Sequence, residues 1–248
     1  MDFSNDERFE YRGFTAHKFQ YDQCECIIVE PQNPTELKRW LWKAEFFEAF
    51  PEFELEMLRR GYYLAFVRVG NTFGCPDAMR HFNAFYRFLT QEHCFYPKPI
   101  LLGLSRGGLY IYNYAESYPD HVGCLYADNP VCDFKSWPGG KGHAPGSMED
   151  WRKLLADYHF KSESEAMSYP SPIDRVEILI KAGIPLVHAA ATEDEVVPIG
   201  ENTDVMEKKV KALGGAIKVF RHPGKHHPHG LSDPKVVADW VENHALQC

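Results

Sequence analysis

The sequence predicts an α/β protein in which one mostly parallel, twisted sheet is covered by helices on both faces. Three observations point there. Short apolar runs alternate with helical patterns along most of the chain, the rhythm of strand–helix–strand units. Runs such as YYLAFVRV at 62–69 and IPLVHAA at 184–190 are apolar almost throughout, as strands buried on both faces must be. Finally, PILLGLSRGGL at 99–109 reads as a buried strand running straight into a helix, with a serine at the corner.

The elements follow in order. Residues 1 to about 20 read as an irregular lead-in or a first edge strand. CECIIVE at 24–30 has strand character, closed by Pro31 and the turn at Asn33-Pro34. RWLWKA at 39–44 is a buried strand, and a helix from about 52 to 60 stops at Gly61, a residue suited to a helix C-cap. After the strand at 62–69 comes the glycine-bearing loop GNTFG at 70–74. From Pro76 to about Gln91, Met79, Phe82, Phe85, Tyr86 and Leu89 recur at helical spacing. Pro97 and Pro99 introduce the serine-bearing strand, and the stretch after it continues as a helix through about 115.

The run VGCLYA at 122–127, the sixth strand, precedes a break in the rhythm. Residues from about 129 to 172 form a lid-like, substrate-shaping insertion with a helix near 148–158. A helix at about 174–182, the seventh strand at 184–190, a helix at 201–213 and a strand at 217–220 follow. The last helix takes Asp233 as N-cap and Pro234 at its first position, and would bury Val236, Val237, Trp240 and Val241.

Length and composition set limits. A chain of 248 residues, 44% hydrophobic and 25% charged, suits one large domain over 1–248 with a sizeable core. A net charge of −8 argues against nucleic acid as partner. No run of about eighteen apolar residues suggests a membrane span. The acidic start MDFSNDE is unlike a signal peptide, so the cytoplasm is expected for the chain as it stands, and the periplasm or exterior if a leader has been removed. Seven scattered cysteines with no Cys-x-x-Cys pair favour reduced thiols, with Cys24 and Cys26 on one strand face in the core.

The chemistry centres on Gly103-x-Ser105-x-Gly107, a nucleophile elbow. Its tight turn lifts the serine hydroxyl above the sheet edge, and side chains at 103 and 107 would collide with the neighbouring strand and helix. A serine needs a base and an acid to orient that base. Asp194, in TEDEVVP at 192–198, is the candidate acid, with Asp128 and Asp133 as fallbacks. His226, in HPGKHHPH at 222–229, is the candidate base, while His227 and His229 are read as loop-packing or substrate-side groups. Four histidines in eight residues also raise a zinc site. No cysteine or acid cluster with ligand spacing accompanies them, so neither metal nor other cofactor is expected.

The chain order Ser105, Asp194, His226, the elbow at 103–108, the acid loop at 193–198 and His226-x-Pro228-His229 together resemble the α/β-hydrolase superfamily. The resemblance runs from about residue 24 onward. Motifs at 40–47 and 132–140 look like those of uncharacterised bacterial hydrolases suspected of being carbohydrate esterases. It implies an α/β-hydrolase fold, a serine esterase working through an acyl-enzyme, and a small-molecule or saccharide ester as substrate. A peptidase or amidase with the same triad is an alternative, as are a non-catalytic binding protein of this fold and a metal-dependent hydrolase.

Many members carry His-Gly after the third strand, whereas this chain has Lys43-Ala44-Glu45-Phe46. The oxyanion donors are therefore assigned to the backbone N–H groups of Arg106 and Glu45. The Arg106 side chain is expected to hold a carboxylate of the protein or of the substrate. Trp137, Phe73 and Asn71 are expected on loops above the strand ends, where they and His227 would meet substrate.

Overall fold

Apolar residues on both faces of a single sheet organise the chain. The computed structural model describes residue 3 and residues 5–245. Among these, nine strands form one sheet: β1 (Glu7–Tyr11), β2 (Phe14–Tyr21), β3 (Cys24–Val29), β4 (Trp40–Lys43), β5 (Tyr63–Arg68), β6 (Ile100–Leu104), β7 (Cys124–Asp128), β8 (Leu186–Ala191) and β9 (Ile217–His222). Their spatial order is β1-β2-β3-β5-β4-β6-β7-β8-β9. The pairs from β1 through β3 to β5 are antiparallel, and every pair from β5 onward is parallel.

The side-chain alternation of each strand feeds two cores. On β4, Trp40 and Trp42 pack on one face and Leu41 on the other. On β6, Leu101 faces the first core while Ile100 and Leu102 face the second. The first face is covered by α2 (Pro76–Arg87), α3 (Gly107–Ser117), α6 (Val176–Lys181) and α7 (Thr203–Ala212). The second is covered by α1 (Glu52–Arg59) and α8 (Lys235–Ala245). Each large apolar side chain buried this way contributes about 1.5–3 kcal/mol.

Three expectations change. The lead-in is a hairpin, β1 with β2, whose register Phe19↔Cys26 continues onto β3. Polar residues such as Thr15, Lys18 and Gln20 diluted its alternating signal. In α8 the buried stripe is Val237, Ala238, Val241 and Ala245, while Trp240 is half-buried and Val236 is exposed, because the stripe lies one residue further round. At the elbow, a Cβ at Gly103 would stand 2.5 Å from the Gly107 carbonyl oxygen, as expected, but at Gly107 it would meet nothing within 4 Å. The second cramped position is Gly108, where a Cβ would sit 2.7 Å from the Val131 carbonyl oxygen.

The segment 129–172 carries α4 (Met148–Asp157) and α5 (Glu163–Ser168). Its Phe134, Trp151, Leu154 and Ala166 form a third apolar cluster with Phe73, Leu109 and Val197. Asp133 accepts from Ser171 Oγ at 2.6 Å and from the Lys135 N–H at 2.9 Å, tying the two ends of the segment together. Cys24 and Cys26 lie in the core, Cys94 is exposed, and Cys248 lies outside the described residues. Among the described residues, no helix is long and apolar enough to cross a membrane.

Candidate active site

Ser105 occupies the corner between β6 and α3. Its φ is +50°, a left-handed conformation that costs a non-glycine residue free energy and persists only where the surroundings enforce it. The enforcement is visible: the Ser105 N–H donates to the Asp128 carbonyl at 2.9 Å, and the Val131 N–H donates to the Ser105 carbonyl at 2.9 Å. Both bonds tie the elbow to the end of β7.

Two loops from neighbouring parallel strands deliver the partners. After β9, His226 places Nε2 2.9 Å from Ser105 Oγ, in position to accept the hydroxyl proton. After β8, Asp194 accepts the His226 Nδ1–H at Oδ2, 2.6 Å away. The other Asp194 oxygen accepts the N–H groups of Val196 and Val197 at 2.9 and 2.8 Å, which fixes the carboxylate's rotation. His226 and Asp194 are both buried, whereas Ser105 is half-buried and open to a cavity of about 380 Å³. Chemically, this row can draw a proton off Ser105 and stabilise the imidazolium that results.

Asn129, which the sequence reading did not single out, stabilises this convergence. Its Nδ2 donates to the His226 carbonyl at 3.1 Å and its Oδ1 accepts the Ala191 N–H at 2.7 Å. One side chain thereby joins the ends of β7 and β8 and the histidine loop. The only cue was an Asn-Pro step at a strand end.

A second Asp–His pair lies beside the first. Asp128, fully buried at the end of β7, accepts the His229 Nδ1–H at 2.6 Å, the Gly230 N–H at 3.0 Å and the Tyr126 hydroxyl at 3.0 Å. Asp128 therefore orients His229 rather than His226, and Asp133 serves the 129–172 segment. Neither fallback acid reaches the Ser105 relay.

The remaining candidates divide. Trp137, Arg106 and the exposed His227 line the Ser105 cavity with Phe46, Phe50, Leu104 and Val196. Phe73 does not: it is fully buried against Leu109 and Phe134 beneath Trp137, because the cluster under the 129–172 segment claims its ring. Asn71 lines a neighbouring groove of about 800 Å³ that shares Phe46, Ala49 and Arg106 with the cavity. The Arg106 guanidinium is held by the protein's own Glu45 in a two-pronged pair, 2.8 and 2.9 Å, and lies over the Phe46 ring at 4.9 Å. Burial pushes the Glu45 carboxyl above its ordinary range, and the Arg106 charge opposes that rise.

Lys43 was legible only as a charge inside an apolar strand. It is fully buried, paired with the buried Glu54 of α1, and its Nζ donates to the Ala49 carbonyl at 2.6 Å. It thus pins the 44–50 loop, which carries Glu45, Phe46 and Phe50.

No family model matches the sequence, and no curated protein matches it. Solved structures do match. An acylaminoacyl peptidase of Pyrococcus horikoshii has a TM-score of 0.68 and 15% identity over 97% of this chain and 41% of its own. A puromycin-hydrolyzing peptidase of Mycobacterium tuberculosis gives 0.66 and 13% over 90% of this chain and 36% of its own. An esterase of Pyrococcus furiosus gives 0.60 and 12% over 98% of this chain and 90% of its own. The chain spans about two fifths of the peptidases and nearly all of the esterase. These likenesses establish that the chain has the α/β-hydrolase fold.

Proposed function

We propose that this protein is a serine hydrolase that cleaves an ester through an acyl-enzyme. Ser105 attacks the carbonyl carbon as its proton passes to His226 Nε2, and Asp194 stabilises the imidazolium. The imidazolium then protonates the departing alcohol, and His226 activates the water that releases the acid. The N–H groups of Arg106 and Glu45 are assigned to the oxyanion, each such donor being worth about 3 kcal/mol in the transition state. The observation that carries the reading is the Ser105–His226–Asp194 relay, at 2.9 and 2.6 Å, opening on a cavity.

The cavity at Ser105 and the groove that adjoins it through Phe46, Ala49 and Arg106 support a division of the substrate. The cavity walls of Phe46, Phe50, Leu104 and Val196 suit an acyl group, and the half-buried Trp137 offers a face for an aromatic or sugar ring. The adjoining groove, with Asn71, Glu45, Glu48 and Arg68, suits a polar alcohol such as a saccharide. Amide cleavage is the second reading, supported by the two peptidases among the similar structures.

The test compares acetyl, feruloyl and methyl esters of sugars with peptide amides, using the wild type and Ser105→Ala. Turnover of sugar esters that vanishes in Ser105→Ala is expected. Amide turnover above ester turnover would move the assignment to a peptidase, and turnover that survives in Ser105→Ala would end the serine mechanism.

A further inference from the structure

The histidine loop holds more imidazole than the relay uses. His226, His227 and His229 set one ring nitrogen each within 4.8 Å of the others. Their ring centroids are 4.7, 5.1 and 5.0 Å apart, and the planes cross at 68°, 79° and 75°. Three imidazoles bound to one tetrahedral Zn²⁺, with Zn–N bonds of about 2.0–2.1 Å, hold their centroids about 5 Å apart. The rings therefore already stand at the spacing of a trihistidine site. Small side-chain rotations would close the nitrogens to about 3.4 Å, the separation such bonds require.

The surroundings match as well. A metal-binding histidine characteristically donates its second N–H to a carboxylate, which fixes the ring and raises its basicity. Here two of the three do so: His226 to Asp194 and His229 to Asp128, both acids buried. Each bond leaves Nε2 as the nitrogen with the lone pair. Two carboxylates behind the rings supply negative charge to offset a divalent cation, and the exposed His227 gives the ion a route from solvent.

We propose that His226, His227 and His229 capture a divalent imidazole-binding metal ion such as Zn²⁺, and that its capture reversibly silences the enzyme. The ion takes the His226 Nε2 lone pair that otherwise accepts the Ser105 proton, so metal and catalysis compete for one atom. Silencing rests on the serine-hydrolase reading, whereas metal capture stands without it.

The test titrates Zn²⁺ into the chelator-stripped protein by calorimetry and follows fluorophosphonate labelling in parallel. Saturable one-to-one Zn²⁺ binding is expected, with no heat from Mg²⁺. Ser105→Ala should still bind, His227→Ala should lose the site while keeping its circular-dichroism spectrum, and Asp128→Asn should bind at least tenfold more weakly. Zn²⁺ should block labelling of the wild type until chelator is added, and labelling of His227→Ala, at whatever rate it runs, should ignore Zn²⁺. Absence of saturable binding, or equal binding by wild type and His227→Ala, overturns the site. Binding without any labelling in metal-free protein would instead overturn the hydrolase reading and leave the site standing.

Discussion

Two buried aspartate–histidine pairs lie side by side beneath one cavity, with the same 2.6 Å bond from Nδ1–H to carboxylate. Only His226 reaches a hydroxyl. The difference lies in where each acid sits. Asp194 stands on a loop beyond β8, and its spare oxygen is occupied by that loop's own N–H groups. Asp128 ends β7 within the sheet and gathers Tyr126, His229 and Gly230, so its bonds hold the histidine loop onto the sheet. Similar pairs thus stand in different places: one faces the Ser105 hydroxyl, and the other holds a loop to the sheet. Another buried imidazole, His188 on β8, has no hydrogen-bonded carboxylate and lies between the Tyr112 hydroxyl at 2.5 Å and Thr203 Oγ1 at 2.9 Å.

Substitutions can break this contrast. Asp194→Asn should lower kcat on the best ester by about 10⁴-fold, since the wrong imidazole tautomer is then favoured. Lys43→Met, which leaves Glu54 buried without its partner, should cost about 3–5 kcal/mol in urea unfolding. That loss would separate a structural charge pair from the Arg106–Glu45 pair at the groove. Asp128→Asn should differ from Asp194→Asn in rate, with less than about tenfold in kcat, while costing about 2–3 kcal/mol of stability from weakened bonds to a charged acceptor. A rate loss for Asp128→Asn equal to that of Asp194→Asn would erase the distinction.

The smallest effect concerns His188. Burial holds its imidazole down to about 3, against 6.5 for an exposed histidine. Between those values the unfolded chain binds the proton and the folded chain does not, so His188 costs stability progressively as pH falls from about 6.5 toward 3. The difference in urea midpoint between pH 7 and pH 5 should shrink in His188→Gln, and an unchanged difference would remove His188 as a source of acid sensitivity.

The parallel half of the sheet was legible because β4 to β8 are short apolar runs with clear breaks, and the elbow carries its own steric signature at Gly103. The order of Ser105, Asp194 and His226 placed all three on loops at the carboxyl ends of parallel strands, and the structure brings them together there. What escaped was set by tertiary contacts. β1 and β2 are polar enough to need their pairing with β3 to be recognised. Phe73 looked like a loop aromatic until the 129–172 segment folded over it. Asn129 acts on a backbone carbonyl and an N–H group far along the chain, and Lys43 turns inward to Ala49 and Glu54, where no local pattern marks either. Gly107 and Gly108 exchange roles because Val131, supplied by another loop, approaches the second and not the first.

The most direct measurement is peptide mapping after treatment of the intact protein with a fluorophosphonate. One adduct per chain on Ser105, abolished in Ser105→Ala and reduced on the order of 10⁴-fold in rate in His226→Ala, is the predicted result. An adduct on another residue, or labelling of Ser105 at an undiminished rate in His226→Ala, would contradict activation of this serine by that histidine.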